Sequence, residues 1–110
     1  MSETAGALVW CPFPDAASAE AVAGTLLDEG LIACANLVPG LCSLYLWQGE
    51  RHRSEEVGLL GKTTAARLDA AVARLAALHP YDAPAVFGWR CDAAAPATLD
   101  WLGALGGQPG

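Results

Sequence analysis

The stretch from Leu31 to Trp47, "LIACANLVPGLCSLYLW", constrains this chain most. It is dense in branched, aromatic and leucine side chains, which suit a pleated, half-buried surface. Pro39-Gly40 bends it midway, as a strand does where a ladder donor is missing. The pattern predicts one long, kinked strand. The polar segment "QGERHRS" (48–54), with Gly49, predicts a hairpin tip, and "EEVGLLGKT" (55–63) predicts the returning strand. Gly58 and Gly61 weaken that returning strand, and a hairpin of this length is more than one small sheet covers.

The remaining segments arrange themselves around it. "ALVWCPF" (7–13) has a strand's length and ends in prolines. Asp15 offers an N-cap, and Ala19, Val22, Ala23, Leu26 and Leu27 recur with helical spacing until Gly30. Thr64 is placed to cap a second helix with the apolar stripe Leu68, Ala71, Val72, Leu75 and Leu78, which Pro80 stops. His79 thus falls at a helix C-terminus. "PAVFGWRC" (84–91) predicts a fourth strand and "PATLDWLGALGG" (96–107) a third, short helix. The order βαββαβα predicts an α+β, ferredoxin-like sandwich, a four-stranded antiparallel sheet with helices on one face. One domain is expected over residues 1–110, with its core at about 7–105 and a Gly-rich C-terminal tail.

Apolar residues make up 54% of the chain and charged ones only 16%, against about 25% in ordinary soluble domains. A lone body this small exposes much of that excess, so part of it is expected between subunits. Six Lys+Arg face twelve Asp+Glu, and the net charge of −6 excludes nucleic acid as a partner. No run approaches the ~18 apolar residues of a membrane span, and "MSETAGALVW" has no basic region before its apolar run. A cytoplasmic protein without a membrane partner is expected. Cys11, Cys34, Cys42 and Cys91 form no Cys-x-x-Cys pair, and Cys34, Cys42 and Cys91 are expected as small buried thiols.

Proteins of this architecture do different work, so residues must decide. An RNA-recognition domain needs basic and aromatic strand motifs, which "EEVGLLGKT" lacks. A copper chaperone needs two cysteines after strand one, where "CPFP" supplies one. An acylphosphatase needs an arginine cradle there, yet the first arginine is Arg51. In contrast "CPFPD", "LIACANLVPGLCSLYLWQGE", "EEVGLLGKT" and "HPYDAP", in that order from about Leu8 to Leu102, resemble the CutA family of divalent-cation tolerance proteins. The resemblance implies a ferredoxin-like fold related in shape to the PII nitrogen-signalling proteins and a homotrimer built by extending sheets between subunits. Such a trimer accounts for the apolar excess.

The resemblance also implies copper, with other divalent cations less favoured, bound at positions that are Cys11 and His79 here. A thiolate and an imidazole suit copper, whereas magnesium and calcium want oxygen. Two ligands make an incomplete site. Where some relatives carry a further histidine this chain has Leu78, and where most have a glutamate it has Ala85. His52 is read as a solvated residue of the hairpin tip. Tyr45, Trp47, Lys62, Tyr81 and Trp101, also shared, either line an inter-subunit pocket for a small anion or form trimer core. Glu56 is a candidate for a surface salt bridge. The expected function is a trimeric cytoplasmic protein of divalent-metal tolerance that binds copper. It is not expected to be an enzyme, because no oxyanion donor or orienting residue accompanies Cys11 and His79. The alternative is a PII-like trimeric sensor or scaffold for a small metabolite or partner protein.

Overall fold

The computed structural model of the chain describes residues 4–106. Its elements run β1 (Gly6–Phe13), α1 (Ala16–Asp28), β2 (Cys34–Trp47), β3 (Glu50–Thr64), a 3-10 turn (Ala65–Arg67), α2 (Leu68–Leu78), β4 (Phe87–Arg90) and α3 (Pro96–Gly106). The strands form one antiparallel sheet in the order β2-β3-β1-β4, the ferredoxin-like arrangement expected. Helix α3 ends at Gly106, and the expected Gly107 and the tail lie outside the described residues.

Strand alternation assigns the two faces of the sheet. Val9, Cys11 and Phe13 of β1, with Leu59 of β3, are fully buried beneath Leu26 of α1 and Ala71 and Leu75 of α2. Asp15 caps α1 by accepting from the Ser18 N–H at 2.8 Å. Ala19, Val22, Ala23 and Leu26 face inward as expected, but Leu27 is exposed because the covered stripe of α1 is narrower than its apolar spacing. Helix α2 starts later than expected. Thr64 precedes the 3-10 turn without making a side-chain cap, and its buried hydroxyl has no partner among the described residues. Of the expected stripe, Leu68, Ala71 and Leu75 are buried, while Val72 and Leu78 pack against the core from its rim.

The hairpin differs from expectation at its tip. Gln48 and Gly49 both have positive φ, 51° and 81°, the mark of a mirror-image two-residue turn whose twist matches that of the strands. Glu50 to Ser54 therefore belong to β3, paired from Trp47↔Glu50 to Ser43↔Ser54. They are polar because the ribbon there runs past the helices, which give it no cover. The kink at Pro39-Gly40 is a shift of register between Val38 and Leu41. Gly58 fits strand β3 because the Trp10 ring lies where a side chain would stand, and Gly61 gives the same room to Val9. Strand β4 is shorter than expected, since only Phe87–Arg90 pairs with β1.

The face of the sheet opposite α1 and α2 is largely open. Phe87, Trp89, Val38, Tyr45 and Trp47 are exposed, as are Leu44 and Leu46 on the other side of the distal hairpin. Cysteine burial is also corrected: Cys11 is the buried thiol, Cys34 and Cys91 are half-buried, and Cys42, on the uncovered ribbon, is exposed. All four are free.

Candidate functional site

Pro80 forces the residue before it out of helical geometry, so His79 ends α2 with extended torsions, φ −67° and ψ 144°. Its backbone N–H still donates to the Leu75 carbonyl at 3.0 Å. The ring is 7% exposed and both nitrogens are engaged. Nδ1 accepts the Tyr81 N–H at 3.0 Å, which leaves Nε2 to carry the proton and donate to the Pro12 carbonyl at 2.8 Å. The Phe13 ring lies 4.2 Å away and the Tyr81 ring 4.7 Å, centroid to centroid. His79 thus ties the end of β1 to the segment leaving α2.

Cys11, the other expected ligand, lies in the fully buried layer of β1, with its Sγ 3.5 Å from the Pro12 carbonyl. Burial, helped by the Glu56 carboxylate, pushes its thiol up to about 12. A metal at His79 needs a free nitrogen lone pair, and both ring nitrogens are engaged. Among the described residues no cluster of three or more His, Cys, Asp or Glu side chains forms a metal centre. Leu78 packs on the core, supplying no ligand. Cys11 and His79 do not fit a bound metal in this arrangement.

The segment anchored by His79 instead builds a cleft. Tyr81 swings to the open face, where its hydroxyl donates to Glu56 Oε2 at 3.0 Å. Burial, with that carboxylate second, pushes the Tyr81 phenol up to about 12, so it remains a donor at neutral pH. Glu56 stands one residue beyond the last β1–β3 pair, Phe13↔Val57, so it faces Tyr81 where β1 has ended. It makes this hydrogen bond in place of the expected salt bridge. Across the floor, Tyr45 and His52 are register partners with rings stacked at 5.5 Å and 19°. The cleft has a volume of about 680 Å³ and is also lined by Trp47, Ser43, Ser54 and Asp82.

Of the five shared residues expected at a pocket, Tyr45, Trp47 and Tyr81 line this cleft; Lys62 and Trp101 do not. Lys62 pairs with Leu8 and Cys34 near the other end of β3, and Trp101 is half-exposed on α3. His52 is no tip residue but part of the cleft floor. Its place follows from the turn: once Gln48-Gly49 is the tip, Tyr45 and His52 must pair. Ala85 also lines the cleft, so a glutamate there would add a carboxylate to its wall. No helix among the described residues is long and apolar enough to cross a membrane.

The family model described as CutA1 divalent ion tolerance protein matches residues 7–104. A divalent-cation tolerance protein CutA from Escherichia coli (strain K12 / DH10B) is 42% identical over 83 residues, covering 76% of this chain and 74% of the relative. Among solved structures, CutA1 from Ehrlichia chaffeensis superposes with a TM-score of 0.89 at 30% identity, covering 94% of this chain and 97% of that one. CutA from Xylella fastidiosa superposes at 0.87 with 37% identity, covering 91% and 96%.

Proposed function

The chain belongs to the CutA1 divalent ion tolerance family, and from that membership we propose that it acts in divalent-ion tolerance as a cytoplasmic homotrimer that binds a small ligand in the Tyr45–Tyr81 cleft. The observation that carries this is the cleft itself. A fixed carboxylate, three aromatic side chains and two serine hydroxyls converge on a space of about 680 Å³, within the usual range of small-molecule sites.

Self-association is supported by the open face of the sheet. Phe87 is 65% exposed and Trp89 45%, an apolar surface that a lone chain leaves wet. A trimer is the assembly the family resemblance implies. Four free thiols, Cys42 among them exposed, suit a reducing compartment. An enzymatic role is disfavoured, because the buried Cys11 thiol is pushed away from ionisation and His79 has no free nitrogen to act as its base. Copper held by Cys11 and His79 is not part of this proposal, since that pair does not fit a metal. Any copper bound by the chain is expected elsewhere.

Light scattering at micromolar concentration, paired with a thermal-shift screen of metal ions and metabolites, tests the proposal. The expected result is three chains per particle and a ligand-dependent rise in Tm that Trp47→Leu abolishes. A stable monomer sinks the assembly, and a rise indifferent to Trp47 sinks the cleft.

A further inference from the structure

We infer that the cleft selects a small organic cation, a quaternary or protonated amine, an inference that rests on the cleft being the ligand site. Tyr45, Trp47 and Tyr81 line it, and the negative face of an aromatic ring attracts a cation within about 6 Å of its centroid. Two carboxylates, Glu56 and Asp82, line the same space, and among the described residues no lysine or arginine does. An anion entering here meets two carboxylates and no lysine or arginine of the same chain among the described residues.

The lysine and arginines nearest in sequence are directed elsewhere. Lys62 shares the open face, but it lies six positions along β3 from Glu56, roughly 20 Å at the rise of a strand. Arg51 and Arg53 pair with Leu46 and Leu44, so they project from the opposite face. His52 belongs to the cleft floor itself, its ring stacked on Tyr45.

A divalent metal ion is a poorer match than an organic cation. Hard dications take six or more oxygens and borderline ones about four donors, whereas among the described residues no group of three His, Cys, Asp or Glu is placed to hold a metal ion, His52, Glu56 and Asp82 of this cleft included. An alkylammonium group needs no such coordination shell. It needs apolar and aromatic contact with charge compensation nearby, and the cleft has both. Tyr81 holds one oxygen of Glu56, which fixes the carboxylate, and the second oxygen has no partner among the described residues.

The test uses the full chain in its native assembly. Calorimetric titrations with tetramethylammonium and n-butylammonium chloride are run beside sodium acetate, inorganic phosphate and copper(II). Saturable binding of an organic cation is expected, with quenching of tryptophan fluorescence. Glu56→Gln and Trp47→Leu should each weaken it about tenfold, while Trp47→Phe, which keeps an aromatic face, should stay within about threefold. Asp82→Asn, on an exposed segment, guards against misfolding of the Glu56 variant and should weaken binding about threefold. Cation affinity unchanged in both carboxylate variants overturns the inference. If acetate, phosphate or copper binds in a Trp47-dependent way and neither amine does, the cation class is overturned and the cleft stands as the ligand site. If nothing binds in a Trp47-dependent way, both fall.

Discussion

The six-membered ring of Trp10 lies directly over the α-carbon of Gly58, on the neighbouring strand. A β-carbon built at Gly58 would come within 2.8 Å of Cζ3 and 2.9 Å of Cζ2 of that ring, closer than real side chains approach. Both residues sit in the middle of the sheet, Pro12 being the register partner of Gly58, so the ring has strand backbone beneath it. Gly58→Ala is therefore expected to destabilise the fold by about 1–3 kcal/mol, through a displaced indole rather than through backbone torsion. Denaturant melts followed by Trp fluorescence check this. A neutral substitution would mean the ring moves aside freely.

His79→Ala leaves the Pro12 carbonyl and the Tyr81 N–H without their partners and strips a ring from Phe13. A loss of about 2–3 kcal/mol is expected, since an unmade buried bond costs its full desolvation. Copper affinity, measured by chelator competition, should stay within about twofold in His79→Ala and in Cys11→Ser, because neither residue offers a free donor. A large drop in both variants would reinstate them as ligands.

Alkaline pH should weaken the fold. The Cys11 thiol rises from an ordinary 9.0 and the Tyr81 phenol from 10.0, each to about 12. Between those limits the unfolded chain gives up protons that the folded chain keeps, so the slope of stability against pH is negative. Full stability from these groups is expected below pH 9, falling as pH rises toward 12. Tyr81 is 42% exposed, so its share is the smaller. Urea midpoints at about pH 8, 10 and 11 measure the trend, and Cys11→Ala should flatten most of it.

Thr64→Val removes a buried hydroxyl that has no partner among the described residues. Replacing an unpaired polar group with an apolar one of the same shape should be neutral or stabilising, by up to about 1 kcal/mol. A clear loss in a thermal melt would show that the hydroxyl is bonded in solution.

Much of the fold was legible because its signals were local. The Asp15 cap, the inward Ala19, Val22, Ala23 and Leu26 of α1, the inward Leu68, Ala71 and Leu75 of α2 and the Pro80 stop each depend on neighbours in sequence, and each is found where the pattern puts it. The long hairpin was legible too, but its tip was not. Residues 50–54 are polar because no helix covers them, and exposure reads in a sequence just as a loop does. That one confusion hid His52, whose partner across the ribbon is fixed only when the turn is known. The same uncovered ribbon made Cys42 read as buried. At the cleft, aromatic residues could be singled out as a group, but the absence of Lys62 could not: strand direction, rather than composition, carries it away. Glu56 and Tyr81 are 25 positions apart, and only the arrest of α2 at His79 brings them to 3.0 Å.

The shift of register at Pro39-Gly40 has a consequence for the rim of the sheet. Strand β2 is outermost, so among the described residues one side of Cys34–Trp47 has no neighbouring strand for its backbone N–H and C=O groups. Such a rim is a template for added strands, and a smooth one accepts them in many alignments. Here Pro39 has no N–H to offer and Gly40, at φ 78°, turns the chain between two short straight runs. A strand laid along this rim meets the bend at Pro39-Gly40, and a slip of one residue puts its pleat out of phase with that bend. The kink makes the alignments along this rim unequal.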